Sequence, residues 1–164
     1  MRNSWLALLL LLICPMLSRA GDLSLGLGYP YVGVKDDFGR YAAEARFATG
    51  FGIDLYGARA YWNFHKFDRV TLFTGVEAGY IHFNTFSVRG TGWETSAFLG
   101  GEVPITSLFS LSTDFSPMYV DVNSQSAGAR GFEYVVNFAI YIYPFARASR
   151  PQSPANDEVP LLGR

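Results

Sequence analysis

Cysteine is almost absent from this chain of 164 residues, since Cys14 is its only one. A single cysteine excludes a disulfide within the chain, so the fold has to be stabilised in another way. The longest apolar run, Leu6 to Ile13, is too short for a transmembrane helix, which needs about 20 such residues. The only histidines are His65 and His82, and no cluster typical of zinc sites is present. We therefore predict no metal site and no cofactor.

The N-terminal residues follow the pattern of a secretory signal. Arg2 precedes the apolar run, and Ser18 and Ala20 stand at positions −3 and −1 of a cleavage site before Gly21. We expect residues 1–20 to be removed during export, with an uncleaved anchor as the alternative. The signal contains two of the 13 basic residues and none of the 14 acidic ones, so the remaining 144 residues have a net charge of −3. This mild acidity argues against a nucleic-acid partner, which favours a basic surface.

Apolar and polar residues alternate with a period of two through Gly21–Phe145, and no stretch there has a capped 3.6-residue period. Soluble strands usually have about 5–6 residues, whereas tilted strands that cross a membrane need about 9–11. Seven segments, most of them 9 to 15 residues long, are predicted strands: Leu23–Lys35, Tyr41–Thr49, Ile53–Phe64, Val70–Phe83, Thr91–Val103, Leu108–Val122 and Phe132–Phe145. The longest predicted outer loop between them is Asn123–Gly131.

An even number of strands is typical of single-chain bacterial barrels, which keep both termini in the periplasm. We therefore expect Gly21–Phe38 to contain two short strands around Gly28-Tyr29-Pro30, which gives eight strands in total. With 125 residues, one domain of eight strands has about 16 residues per strand and loop, the size of the smallest membrane barrels. The fold prediction is an all-β, antiparallel, up-and-down transmembrane β-barrel over residues 21–145.

The two faces of each predicted strand differ in size and polarity. One face carries Phe, Leu, Val, Tyr and Trp, and the other carries Gly, Ser, Ala and Asn with about one charge per strand. A soluble sandwich would place many charges on its polar face, whereas a sparse set of small and charged residues fits a narrow lumen. The predicted lumen network consists of Glu44, Arg46, Arg59, Glu77, Glu94, Glu102, Asp114 and Glu133. Because unpaired buried carboxylates are costly, we expect some of the six acids to pair with the two arginines.

Aromatic residues stand near the ends of the apolar face. We predict that they form the interfacial girdles of a membrane barrel, in which lipid requires every backbone polar group to be paired by closure of the sheet. The predicted interface residues are Tyr41, Trp62, Phe64, Tyr80, Trp93, Tyr119 and Phe132. A secreted soluble β-sandwich or lipocalin-like barrel is the alternative. Residues 146–164, rich in Pro, Ser and Ala, are predicted to be a disordered tail.

The turn "GGEVPITSLFSLSTDF" and the last strand "YVVNFAIYIYPF", together with the signal and the alternation, resemble the small outer-membrane barrels of the OmpA, OmpX and OmpW kind. The resemblance implies an outer-membrane location, contact with lipid, and a last-strand signal for the assembly machinery at Tyr141, Tyr143 and Phe145. It is a resemblance of pattern over residues 21–145. The chain departs from it at the end, where 19 residues follow the last aromatic residue.

Two classes of function fit this sequence. The first is a monomeric structural or interaction barrel of the cell envelope, and the second is a narrow channel for small hydrophobic or ionic solutes, as the OmpW resemblance implies. A lipid-modifying hydrolase would need a nucleophile beside a base, and the nearest combination is His82 with Ser87. The alternation directs His82 towards lipid or the interface, and no third orienting residue is evident. We therefore predict that the chain is not an enzyme.

Overall fold

The computed structural model describes residues 22–144 except residues 86–87 and 125–127. The predicted signal, the predicted tail and Phe145 lie outside the described residues. Within the described ranges no helix is long and apolar enough to cross a membrane. Eight strands account for most of the chain that is described: β1 Asp22–Tyr29, β2 Val32–Asp37, β3 Tyr41–Gly50, β4 Ile53–Phe67, β5 Val70–Asn84, β6 Arg89–Pro104, β7 Phe109–Ser124 and β8 Gly128–Ile142.

Each strand pairs antiparallel with its neighbour in the chain, and β1 also pairs with β8, so the sheet closes into a barrel. The predicted antiparallel fold and the predicted count of eight strands are confirmed. The segment Leu23–Lys35 is two strands because the chain turns at Pro30 and Tyr31, where Gly28 N donates to the carbonyl oxygen of Tyr31 at 2.8 Å. Proline has no N–H group, so Pro30 cannot continue a central ladder.

The connections between strands are short. At Phe51 and Gly52 both φ angles are positive, at 51° and 79°, as in the two-residue turns that match the twist of a hairpin. The predicted outer loop Asn123–Gly131 is wrong in its extent. Val122 pairs with Ala129 and Asn123 with Gly128, so both strands continue into the predicted loop. The small and polar residues there pair as strands because the earlier pairs of β7 and β8 already fix the register of these two strands.

The register climbs by ten residues around the barrel. Successive partners of Leu27 in the direction of β2 are Val32, Phe47, Tyr56, Tyr80, Trp93, Asp121 and finally Arg130. In the other direction Leu27 pairs directly with Ile140, ten residues further along β8 than Arg130. This shear tilts the strands and decides which inward side chains meet across the lumen.

The strands differ in length, so the ends of the barrel are uneven around the ring. The end that holds Asp22 and Ile142 is called the terminal end, and the end that holds Tyr31 and Phe51 is called the hairpin end. Strands β5 to β8 have 15 or 16 residues, whereas β1 and β2 have eight and six. The long strands therefore rise well above the β1–β2 turn at the hairpin end.

Candidate functional site: the polar column of the lumen

Charged and polar side chains fill the inside of the barrel. We call this set the lumen column: Lys35, Glu44, Arg46, Arg59, Tyr61, Glu77, Glu94, Glu102, Asp114, Asn137, Tyr141 and Tyr143, each at most 7% exposed. Strand alternation directs these side chains inward, and closure of the sheet removes them from solvent. Seven of the eight predicted lumen residues belong to it. The eighth, Glu133, is exposed, although its cross-strand partner Met118 is buried on the inward face.

At the terminal end an ion pair crosses the whole lumen. Lys35 on β2 contacts Glu102 on β6 at 2.6 Å between Nζ and Oε2, and the two strands lie on opposite walls of the ring. The other carboxylate oxygen, Oε1, accepts from Ser110 Oγ at 2.8 Å and from the Tyr143 hydroxyl at 2.7 Å. Glu102 is thus bound by three side chains, as a buried carboxylate needs.

The sequence prediction missed Lys35. It assigned no inward residues in Leu23–Lys35, where the turn at Pro30 breaks the alternation between two short strands. Within β2 alone, Val32 and Val34 face outward and are about half exposed, which directs Lys35 inward. The signal for finding it was therefore present in the sequence once the turn was placed.

Aromatic side chains surround Glu44 in the middle of the column. Its carboxylate accepts from the hydroxyl of Tyr61 on β4 and, at 3.1 Å, from the hydroxyl of Tyr141 on β8. The Lys35 ammonium lies over both rings, 4.8 and 4.6 Å from their centroids. Tyr61 also packs edge-on against Phe98, with ring centroids 4.9 Å apart. Glu44 therefore has two neutral hydroxyl donors and a nearby cation rather than a direct ion pair.

Arg59 joins two acids on opposite sides of the column. Its Nε donates to Glu77 Oε2 at 2.8 Å, and its Nη1 and Nη2 donate to the two oxygens of Asp114 at 2.8 and 3.2 Å. Arg46 Nη1 donates to the other oxygen of Glu77 at 3.0 Å, and Asn137 Nδ2 donates to Asp114 Oδ1 at 2.9 Å. Side chains from β3, β4, β5, β7 and β8 are thereby linked at one level.

The column is less completely paired towards the hairpin end. The Arg46 guanidinium stacks on the ring of Tyr31 at 3.7 Å. Among the described side chains, three buried atoms have no hydrogen-bond partner: Arg46 Nε, Glu94 Oε1 and Asn137 Oδ1. The charges of Glu77, Arg46 and Arg59 act on Glu94 more strongly than the charge of Glu133. Among the described residues no basic side chain forms an ion pair with Glu94.

The outer wall has the opposite character. Six of the seven predicted interface aromatics are at least 43% exposed, and Tyr119 is half-buried between Trp93 and Phe132, with ring centroids 5.5 and 5.1 Å away. Along β7, Tyr119 stands ten residues from the exposed Phe109. At about 3.3 Å per residue and a tilt of about 40°, this spacing is about 25 Å along the barrel axis, the height of the apolar band of membrane barrels.

Two further predictions concern the implied assembly signal and the combination of His82 with Ser87. Tyr141 and Tyr143 are buried in the column, and Phe145 lies outside the described residues. His82 is exposed, and Ser87 also lies outside the described residues. Within the described ranges no three His, Cys, Asp or Glu side chains are grouped so as to hold a metal ion.

No protein-family model matches the chain, and no match was found among curated proteins or solved structures. The side chains inside and outside the barrel are therefore the basis for a functional proposal.

Proposed function

We propose that this chain is an integral outer-membrane β-barrel protein whose lumen is closed by the polar column and which has a structural or interaction role in the cell envelope. The observation that carries the proposal is the inverted distribution of polarity. Ionised side chains occupy the inside of the molecule, and large apolar side chains cover its outside. In water such an arrangement exposes apolar surface, whereas in lipid the apolar surface contacts hydrocarbon and the charged side chains are kept away from it.

The outer wall supports contact with hydrocarbon over most strands. Large aliphatic and aromatic side chains are at least 46% exposed on β1, β2, β5, β6, β7 and β8: Leu25, Leu27, Val32, Val34, Val76, Leu99, Leu111, Phe115, Phe138 and Ile140. Monomeric soluble proteins rarely expose a continuous apolar surface of this extent. Aromatic rows above and below this surface match the girdles of membrane barrels.

The polar column favours a closed lumen over a channel. Lys35 with Glu102 and Arg59 with Asp114 join strands that are four and three places apart in the ring, so their side chains cross the lumen. Barrels of eight strands are just wide enough for side chains to fill them. The column in such a closed barrel links the strands of the sheet, and the outer surface of the barrel remains available to partners.

Folding of the mature chain in detergent or lipid vesicles tests the membrane assignment. We expect outer-membrane fractionation and a folded form whose gel migration changes on boiling. A mature chain that stays dissolved as a monomer without detergent would contradict the proposal. Planar-bilayer recordings test the closed lumen, and we expect no discrete openings. Openings that disappear in Glu77→Ala or Arg59→Ala would favour the narrow channel instead.

A further inference from the structure

Over the hairpin half of β8, one side of the strand has no partner strand among the described residues. β1 pairs with Phe138–Ile142 only, because β1 ends at Tyr29. On that side no described residue pairs with Gly128–Asn137, which bonds to β7 on its other side. We call Gly128–Asn137 the open edge.

The direction of the backbone groups along the open edge follows from the closed part of the strand. Tyr143 N donates to the carbonyl oxygen of Leu108 beside β7, whereas the carbonyl oxygen of Phe138 points to Gly28 of β1. Alternate residues of a strand direct their N–H and C=O groups to the same side. The groups that point away from β7 into the gap are therefore those of five residues: Gly128, Arg130, Phe132, Tyr134 and Val136.

Part of the open edge lies at the level of the apolar outer wall, where water cannot hydrogen-bond to all of its backbone groups. Phe132 packs on Tyr119 in the aromatic row near the hairpin end, and Val136 lies four residues closer to the middle of the wall. The outward side chains of Phe132 and Tyr134 are 76% and 75% exposed. Lipid offers no hydrogen bonds to backbone groups, and an uncovered edge is a template for another strand. A row of alternating donors and acceptors is matched by an extended polypeptide and by no lipid or small solute.

The side chains around the gap define which polypeptide fits. Outward, the edge presents Phe132, Tyr134 and Val136, which favour apolar neighbours on an added strand. Inward, the same gap faces Glu133, which is exposed. Among the described residues no basic side chain forms an ion pair with Glu133.

We propose that the open edge binds an extended segment of another exported protein, which adds a ninth strand antiparallel to β8 above the β1–β2 turn. Its outward residues are apolar, and its inward residues are lysine or arginine that pair with Glu133. Main-chain hydrogen bonds supply affinity in this mode of recognition, and alternate side chains supply specificity. The inference rests on the proposed interaction role and names the class of partner.

A synthetic peptide of nine residues that alternates valine and lysine is the probe. Mature chain is inserted into vesicles, its heat-dependent gel migration is checked on the same sample, and peptide binding is followed by fluorescence anisotropy and by amide hydrogen exchange. We expect saturable binding and slowed exchange at the amides of Phe132, Tyr134 and Val136. Two peptides serve as controls: the same sequence N-methylated at alternate backbone positions, and one that alternates valine and glutamate.

The variant Tyr134→Pro removes one N–H group that points into the gap and leaves the β7 ladder intact. We expect it to insert normally and to lose about tenfold in peptide affinity, as expected for one main-chain hydrogen bond. Glu133→Gln should weaken binding of the lysine peptide and should not weaken binding of the glutamate peptide.

Three results would overturn the inference. The first is an inserted chain that does not bind the valine–lysine peptide, and the second is equal binding of its N-methylated form. The third is slow exchange at the open edge before any peptide is added, which would mean that a second copy or another part of the chain covers it. A chain that fails to insert contradicts the membrane assignment instead, so the two failures are distinguishable.

Discussion

Lys35 and Glu102 face each other from opposite walls of the barrel and form an ion pair at 2.6 Å, with both side chains at most 5% exposed. Each charge is removed from water and depends on the other, and the Glu102 carboxylate also accepts from the hydroxyls of Ser110 and Tyr143. Breaking such a pair from one side leaves an uncompensated buried charge, whereas removing both charges does not. This difference gives the first prediction.

The Lys35→Met variant should be destabilised by about 3–5 kcal/mol, because Glu102 then keeps its charge without a cation. The double variant Lys35→Met, Glu102→Gln should recover most of the loss. Urea titration of the barrel in lipid vesicles, read by gel migration without boiling, measures both. Equal stability of the single variant and the parent would mean that the ion pair does not contribute to the fold.

Arg59→Met should be at least as damaging as Lys35→Met, because it leaves two carboxylates, Glu77 and Asp114, without their shared donor. Glu133→Gln is the matched control. Glu133 is charged and stands at an inward position, but it is exposed. The stability of the Glu133→Gln variant should therefore stay within about 0.5 kcal/mol of the parent. The same urea titration compares them, and similar losses for the two variants would contradict the mapping of the column.

Gly75 fits where no larger residue can. An added Cβ would overlap the carbonyl oxygen of Ala60 and the ring of Phe98, so Gly75→Ala should cost about 1–3 kcal/mol through overpacking. At Gly101 the nearest atoms to an added Cβ are 3.6 Å away, and Gly101→Ala should be close to neutral. Folding yield and urea midpoints of the two variants give the comparison. A tolerated alanine at Gly75 would mean that the carbonyl oxygen of Ala60 and the ring of Phe98 both lie elsewhere.

The medium outside the barrel is tested by two arginine substitutions at similarly exposed sites. Leu99 is 57% exposed in the middle of β6, and Ile105 is 62% exposed in the turn at the terminal end. If lipid surrounds the wall, Leu99→Arg should cost about 2–4 kcal/mol. Ile105→Arg should be nearly neutral. Insertion efficiency into vesicles reports the difference, and neutrality at both positions would mean that water surrounds the barrel.

The alternation of residues predicted seven strand segments and the faces of Glu44, Arg59 and Asp114, and the even strand number typical of single-chain barrels gave the eighth strand. The period of two fixes the face of a residue wherever the strand is continuous. It failed at Lys35, because the turn at Pro30 interrupts the alternation, and at the predicted loop Asn123–Gly131, where small polar residues extend the strands.

The partners inside the column could not be predicted from the sequence. Which residues meet across a lumen depends on the shear, and the ten-residue shift appears only when every pair of strands is in register. The exposure of Glu133 could not be predicted either, because it depends on the different lengths of β8 and β1. Its strand extends past the end of β1, so an inward-facing residue there has no wall beside it.

Quenching of tryptophan fluorescence by lipids brominated at different depths tests the central claim most directly. Trp62 and Trp93 lie in opposite aromatic rows and are 44% and 47% exposed, and Leu99→Trp adds a reporter between them. The account predicts that shallow bromines quench Trp62 and Trp93 most strongly and that deep bromines quench the tryptophan at position 99 most strongly. Fluorescence that is insensitive to brominated lipid at all three positions would contradict it, because the apolar wall would then not contact hydrocarbon.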